Sequence, residues 1–77
     1  MFTLRIQQVI KQIGITDLPN DKQARLEHAG LDSLMLALLI IDLEREFKIK
    51  IPVMPLIKTH YESVATIEKH LLELGAK

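Results

Sequence analysis

The apolar positions of the chain fall into three helical stretches separated by segments with no period. In the first, Phe2, Ile6, Val9, Ile10 and Ile13 recur on one helical face, with Arg5, Gln7, Gln8, Lys11 and Gln12 between them. This predicts a helix from Thr3 to Ile13, with Thr3 as its cap and Gly14 as its stop. The last stretch opens at Ser63, a good N-cap residue, and runs to Leu74 before Gly75. Val64, Ile67, Leu71 and Leu74 line its inner face with Leu72 beside them, and Glu68, Lys69, His70 and Glu73 fall outside.

Between these two lies the longest apolar run, Leu34 to Ile41, inside a helix expected over 33–47. Gly30 ends the incoming loop, and Asp32 or Ser33 can cap the helix by accepting backbone N–H groups that have no partner within it. The expected buried stripe is Ala37, Ile40, Leu43 and Phe47, bordered by Leu34, Leu36, Leu39 and Ile41. Met35, Leu38, Asp42 and Arg45 then share the far face. Two of these four are apolar where a solvated helix carries charge, so this face is a candidate surface for meeting another protein.

The connections are less regular. Thr16-Asp17-Leu18-Pro19-Asn20-Asp21 is dense in turn residues, and Pro19 stops a helix from running through. Ile15, Leu18 and Leu26 are spaced as anchors for a long loop, with room for a helical turn over Lys22 to Leu26. Lys48-Ile49-Lys50-Ile51 alternates like a strand, but Pro52 and the lack of a second such segment favour an extended linker held by Ile49 and Ile51. A short helix is expected over Leu56 to Tyr61.

Seventy-seven residues set one domain, 1–77, with a small core. Hydrophobic residues at 48% with aromatics at only 4% mean a folded globule filled by aliphatic side chains. A bundle of this size has no room for an enclosed enzyme cavity. The formal net charge of +0 gives no electrostatic reason to expect nucleic acid or an anionic membrane surface. A helix-turn-helix reader is disfavoured further by apolar residues where base-reading polar ones are needed. The apolar run is far shorter than the ~20 residues that span a bilayer. Zero cysteines exclude disulfides and thiolate metal sites and fit a cytoplasmic protein. Met1 leads directly into an amphipathic pattern, so no signal peptide and a stand-alone chain are expected.

Ser33 paired with His28, His60 or His70 lacks the oriented base and sheltered cleft of a serine hydrolase. Glu27, His28 and Asp32 lack a spacing that converges on a metal.

Gly30-Leu31-Asp32-Ser33-Leu34, with Leu26 before it and Leu43-Glu44-Arg45-Glu46-Phe47-Lys48-Ile49-Lys50-Ile51-Pro52 after it, resembles the acyl carrier proteins and the related peptidyl carrier proteins. The resemblance covers nearly the whole chain. It implies an all-α fold, a small four-helix bundle of acyl-carrier type with three main helices, one short helix and a long first loop. It also implies a non-catalytic monomer bearing a 4′-phosphopantetheine arm on Ser33, attached by a phosphopantetheinyl transferase that Asp32 helps to engage. Such an arm holds acyl or aminoacyl groups as thioesters between a loading enzyme and the synthase or transferase enzymes that accept them. By the same resemblance Met54, Leu56, Ile57 and Tyr61 are acyl-chain contacts. A phosphodiester on Ser33 would sit at the positive end of the 33–47 helix, which favours an anion by roughly 0.3–1 kcal/mol.

The chain departs from the family pattern twice. His28-Ala29-Gly30 stands where Asp-Leu-Gly is common, and Met35 and Leu38 stand where many members carry acids. Docking through apolar contacts with a charged rim, Asp42 and Arg45 included, fits these residues better than a purely acidic strip. That tilts the reading toward polyketide, nonribosomal peptide or other specialised acyl biosynthesis. The alternative is a small helical adaptor that binds a partner and carries no prosthetic group.

Overall fold

Capping and stop signals close to those in the sequence delimit the helices. In the computed structural model, which describes residues 2–18, 21–52 and 58–76, helix α1 spans Thr3–Gln12, α2 Ser33–Phe47 and α3 Val64–Glu73. Short 3₁₀ helices, Leu26–Ala29 and Lys58–Tyr61, precede α2 and α3. The described residues contain no strand; 49–52 form no regular element, with Ile51 buried and Ile49 half-buried against the core.

The core is built from all three helices and the crossover loop. Ile6, Val9 and Ile10 of α1, Leu39 and Leu43 of α2, Ile67 and Leu71 of α3 and Leu26 of the loop are its most deeply buried side chains. Helix α1 packs against both α2 and α3. At one end Phe2 meets Phe47 edge to face at 5.1 Å. Arg5 lies 4.2 Å over the Phe47 ring and its Nε donates to Glu46 Oε2 at 3.1 Å.

Helix α1 starts without the cap its sequence suggests. Phe2 occupies the N-cap position with no side-chain cap bond, and the Thr3 hydroxyl donates instead to Glu68 of α3 at 3.1 Å. Thr3 is the first helical residue and not the N-cap, and its O–H points to a charged acceptor on a neighbouring helix. The helix ends at Gln12, one residue before Ile13.

The buried face of α2 differs from the expected one. Leu36, Leu39, Ile40, Leu43 and Phe47 face the core, whereas Leu34, Ala37 and Ile41 are exposed. Met35 is half-buried and not on a free surface; a Cβ added at Gly14 would touch its terminal methyl at 3.6 Å. Residues 36, 39, 40, 43 and 47 and residues 34, 37, 38 and 41 both follow helical spacing, so an apolar run cannot set its own phase. The charged residues from Asp42 onward set it, by leaving Leu43 and Phe47 as the only apolar positions in that half.

The long crossover is tied to the start of α3 by backbone hydrogen bonds. The Leu26 N–H donates to the Glu62 carbonyl at 2.7 Å, and the Ala65 N–H to the Lys22 carbonyl at 3.0 Å. With Ile15 and Leu26 buried and Leu18 half-buried against the core, these bonds order a connection of unusual length. Its helical turn forms at Leu26–Ala29, later than the expected Lys22 to Leu26.

Helix α3 begins with a capping box: Ser63 Oγ accepts the Thr66 N–H and Thr66 Oγ1 accepts the Ser63 N–H. Two of its residues expected outside turn inward. Glu68 is half-buried and accepts from the Phe2 N–H at 2.8 Å, the Thr3 hydroxyl and Lys22 Nζ at 2.9 Å. His70 is buried, stacked on His60 with ring centroids 3.9 Å apart.

Candidate functional site

The start of α2 displays a hydroxyl beside unpaired backbone donors. Asp32 is extended at the N-cap, and its Oδ1 accepts the Met35 N–H at 2.9 Å. The Asp32 carbonyl accepts the Leu36 N–H at 2.8 Å. By helix geometry the amides of Ser33 and Leu34, one turn below, have no acceptor within α2. Ser33 is the first helical residue and is exposed. Gly30 makes the approach possible: at φ +107 it closes the Leu26–Ala29 turn in a conformation that disfavours side chains.

The protein has two serines, and the structure separates them. Ser63 is only 3% exposed and its hydroxyl is engaged in the α3 cap. Ser33 alone offers an accessible hydroxyl at a helix start.

Beside Ser33 opens a cavity of about 340 Å³. Leu31, Asp32, Ser33 and Leu36 form one side of its lining, and the crossover contributes Arg25 and Glu27. Lys58, Tyr61 and Glu62 also line it among the described residues. Arg25 is committed to Glu27 at 3.0 Å, which together with the nearby Glu62 raises its pKa. The lining thus combines three apolar side chains with a mixed ring of charges. An exposed hydroxyl, free amides at a helix N-terminus and an adjoining cavity suit a covalently attached anionic arm.

The expected site residues divide. Asp32, Ser33 and Tyr61 come together around the cavity. Leu38 is exposed on α2, Arg45 is exposed and Asp42 half-exposed one to two turns further along, and Met35 turns toward the core. Met54, Leu56 and Ile57 lie outside the described residues. Arg25, Glu27, Leu31, Leu36, Lys58 and Glu62 are lining residues that sequence reasoning missed, because the fold joins three separate segments to form the cavity. His28 is exposed, 4.0 Å from Glu27. No cluster of metal-ligating side chains occurs among the described residues.

In comparison with protein families, the family model described as the phosphopantetheine attachment site matches residues 5–71. No curated protein and no solved structure matches the chain.

Proposed function

We propose, on the premise that the chain belongs to the phosphopantetheine-attachment family that its sequence matches over residues 5–71, that Ser33 is the attachment residue and that the protein carries acyl or aminoacyl thioesters between enzymes. The family takes 4′-phosphopantetheine covalently, and its role is that of a carrier. The observation that supports Ser33 is its position: exposed, first in α2, with an adjoining cavity, whereas the other serine is buried in a cap.

Loading is a phosphoryl transfer performed by a separate transferase. Ser33 Oγ attacks the coenzyme A phosphorus that bears the pantetheine. A new P–O bond forms, the pyrophosphate bridge breaks, adenosine 3′,5′-bisphosphate leaves, and the hydroxyl proton passes to the transferase. Once attached, the arm supplies a terminal thiol that holds cargo as a thioester. The free amides of Ser33 and Leu34 would favour the new negative charge, and Asp32, which holds the helix start in shape, would present a carboxylate to the transferase.

Partners dock on the exposed stripe of α2. Leu34 is 73% exposed, Leu38 44% and Ile41 51%, with Ala37 between them. Asp42 and Arg45 form its charged rim. Met35 gives up its place on this face because it packs inward. An apolar stripe beginning next to the attachment residue suits enzymes whose own docking patch is apolar. This supports a polyketide, nonribosomal peptide or other specialised acyl pathway.

Incubation with coenzyme A, Mg²⁺ and a broad-specificity phosphopantetheinyl transferase tests the reading by intact mass. One arm is expected on the wild type and none on Ser33→Ala. An unchanged wild-type mass would favour a protein-binding adaptor that uses the same stripe without a prosthetic group.

A further inference from the structure

One cation beside Ser33 is left without an acid. The described lining of the cavity carries the carboxylates of Glu27, Asp32 and Glu62 and the cations Arg25 and Lys58. Arg25 is held by Glu27 at 3.0 Å, and Glu62 acts on it as well. Asp32 turns one oxygen to the Met35 N–H. The Lys58 ammonium forms no ion pair or hydrogen bond with any described residue.

The backbone that carries Lys58 is nevertheless fixed. The Lys58–Tyr61 turn is pinned to α3 by the stack of His60 on His70 at 3.9 Å and by the burial of Tyr61. Lys58 itself is exposed, and a flexible four-carbon stem lets its charge move over the cavity wall that it helps to form.

A phosphodiester on Ser33 would add a negative charge to a lining whose acids already outnumber its cations. The free amides at the start of α2 offset part of that repulsion, but they are fixed in place. Arg25 could turn to the phosphate only by giving up Glu27. Lys58 gives up nothing. The exposed stripe of α2, Leu34, Ala37, Leu38 and Ile41, contributes no residue to the described lining, so the cavity and the stripe are separate surfaces. A phosphate drawn toward Lys58 leaves the stripe uncovered.

We propose that Lys58 is a binding residue for the arm: its ammonium pairs with the phosphodiester on Ser33 and keeps the base of the arm on the cavity side of α2, clear of the stripe on which partners dock. This rests on the carrier reading and names how the arm is held.

The test compares the protein before and after addition of the arm, with no acyl group on the thiol, by NMR. Addition of the arm should shift the Lys58 side-chain resonances more than those of Lys48 and Lys50, which are also exposed. Nuclear Overhauser contacts from the two pantoyl methyls next to the phosphate should reach the side chain at position 58. An exposed ion pair is weak, so in Lys58→Gln those contacts should fall about two- to fivefold, about 0.4–1 kcal/mol at 1.4 kcal/mol per decade. Lys58→Arg should keep them, and about 0.5 M NaCl should reduce them in the wild type. Lys58 shifts no larger than those of Lys48 and Lys50 overturn the inference. So do contacts that survive both salt and Lys58→Gln, since carbon surface and not charge would then hold the arm, or a loss in Lys58→Arg equal to that in Lys58→Gln. If a variant fails to fold or to accept the arm, the lysine shifts and the salt response of the wild type decide alone. A wild type that takes no arm would sink the carrier reading itself, whereas an arm that ignores Lys58 sinks only this role.

Discussion

His60 lies ring on ring over His70, with centroids 3.9 Å apart and planes inclined by 26°. The pair joins the Lys58–Tyr61 turn to α3, and the Tyr61 ring meets His70 edge-on at 5.7 Å. Burial first, and then the neighbouring His60, lower the His70 pKa, while Glu73 acts weakly the other way. His70 therefore binds a proton less readily folded than unfolded. The contribution of neutral His70 is complete above the unfolded value of 6.5, and stability declines as pH falls below it toward the lower folded value. Urea unfolding between pH 8 and pH 5 should show a lower midpoint at the acid end, and His70→Phe should flatten that slope.

Glu68 gives a second acid transition, separate from the first. Its bond to Lys22, aided by the Phe2 N–H and the Thr3 hydroxyl and opposed by partial burial, lowers its pKa from 4.5 to about 2. The stabilisation is complete above 4.5 and disappears as pH falls toward 2. Glu68→Gln should remove this transition while leaving the histidine slope in place, and should cost about 1–2 kcal/mol at pH 7 for the weakened charge-assisted bonds. Chemical denaturation of both proteins at pH 7 and pH 3 measures the two effects.

Asp32 has a structural role that can be separated from any role in loading. Removing its cap to the Met35 N–H by Asp32→Ala should cost about 1 kcal/mol of stability. Asp32→Asn should keep the cap and lose the charge. If the carboxylate engages the transferase, Asn will load more slowly than wild type with an almost unchanged melting temperature. Initial rates of mass gain beside a thermal melt distinguish the two.

The exposed stripe and the buried stripe of α2 should respond oppositely to substitution. Leu38→Ser and Ile41→Ser lie outside the core and should change stability by no more than about 0.5 kcal/mol. Leu39→Ala empties a fully buried position and should cost about 2–5 kcal/mol. Acyl transfer to a partner enzyme should fall in the two serine variants while their unfolding midpoints stay near wild type.

What the sequence revealed was local. The α2 span, the Asp32 cap, the Leu26 anchor and the α3 cap at Ser63 each depend on residues within a turn or two, or on one large apolar side chain in a polar loop. Where the sequence misled, a distant partner decided the outcome. Glu68 turns inward because Lys22 and the start of α1 meet it across the fold, and His70 because the Lys58–Tyr61 turn places His60 on it. Neither relationship has a period in the sequence. The buried face of α2 was ambiguous for a different reason, since an apolar run of eight residues fits two helical phases equally well and only Leu43 and Phe47 fix the register. Of the cavity beside Ser33 only Asp32, Ser33 and Tyr61 were legible, the last through the family resemblance, because its walls come from the crossover, α2 and the approach to α3.

The most direct measurement is peptide mapping by tandem mass spectrometry of protein isolated from the cells that make it. The peptide containing Ser33 should carry 4′-phosphopantetheine, with its cargo as a thioester, and the peptide containing Ser63 should be unmodified. An arm found on any other residue, or a protein that is wholly unmodified, would contradict the account.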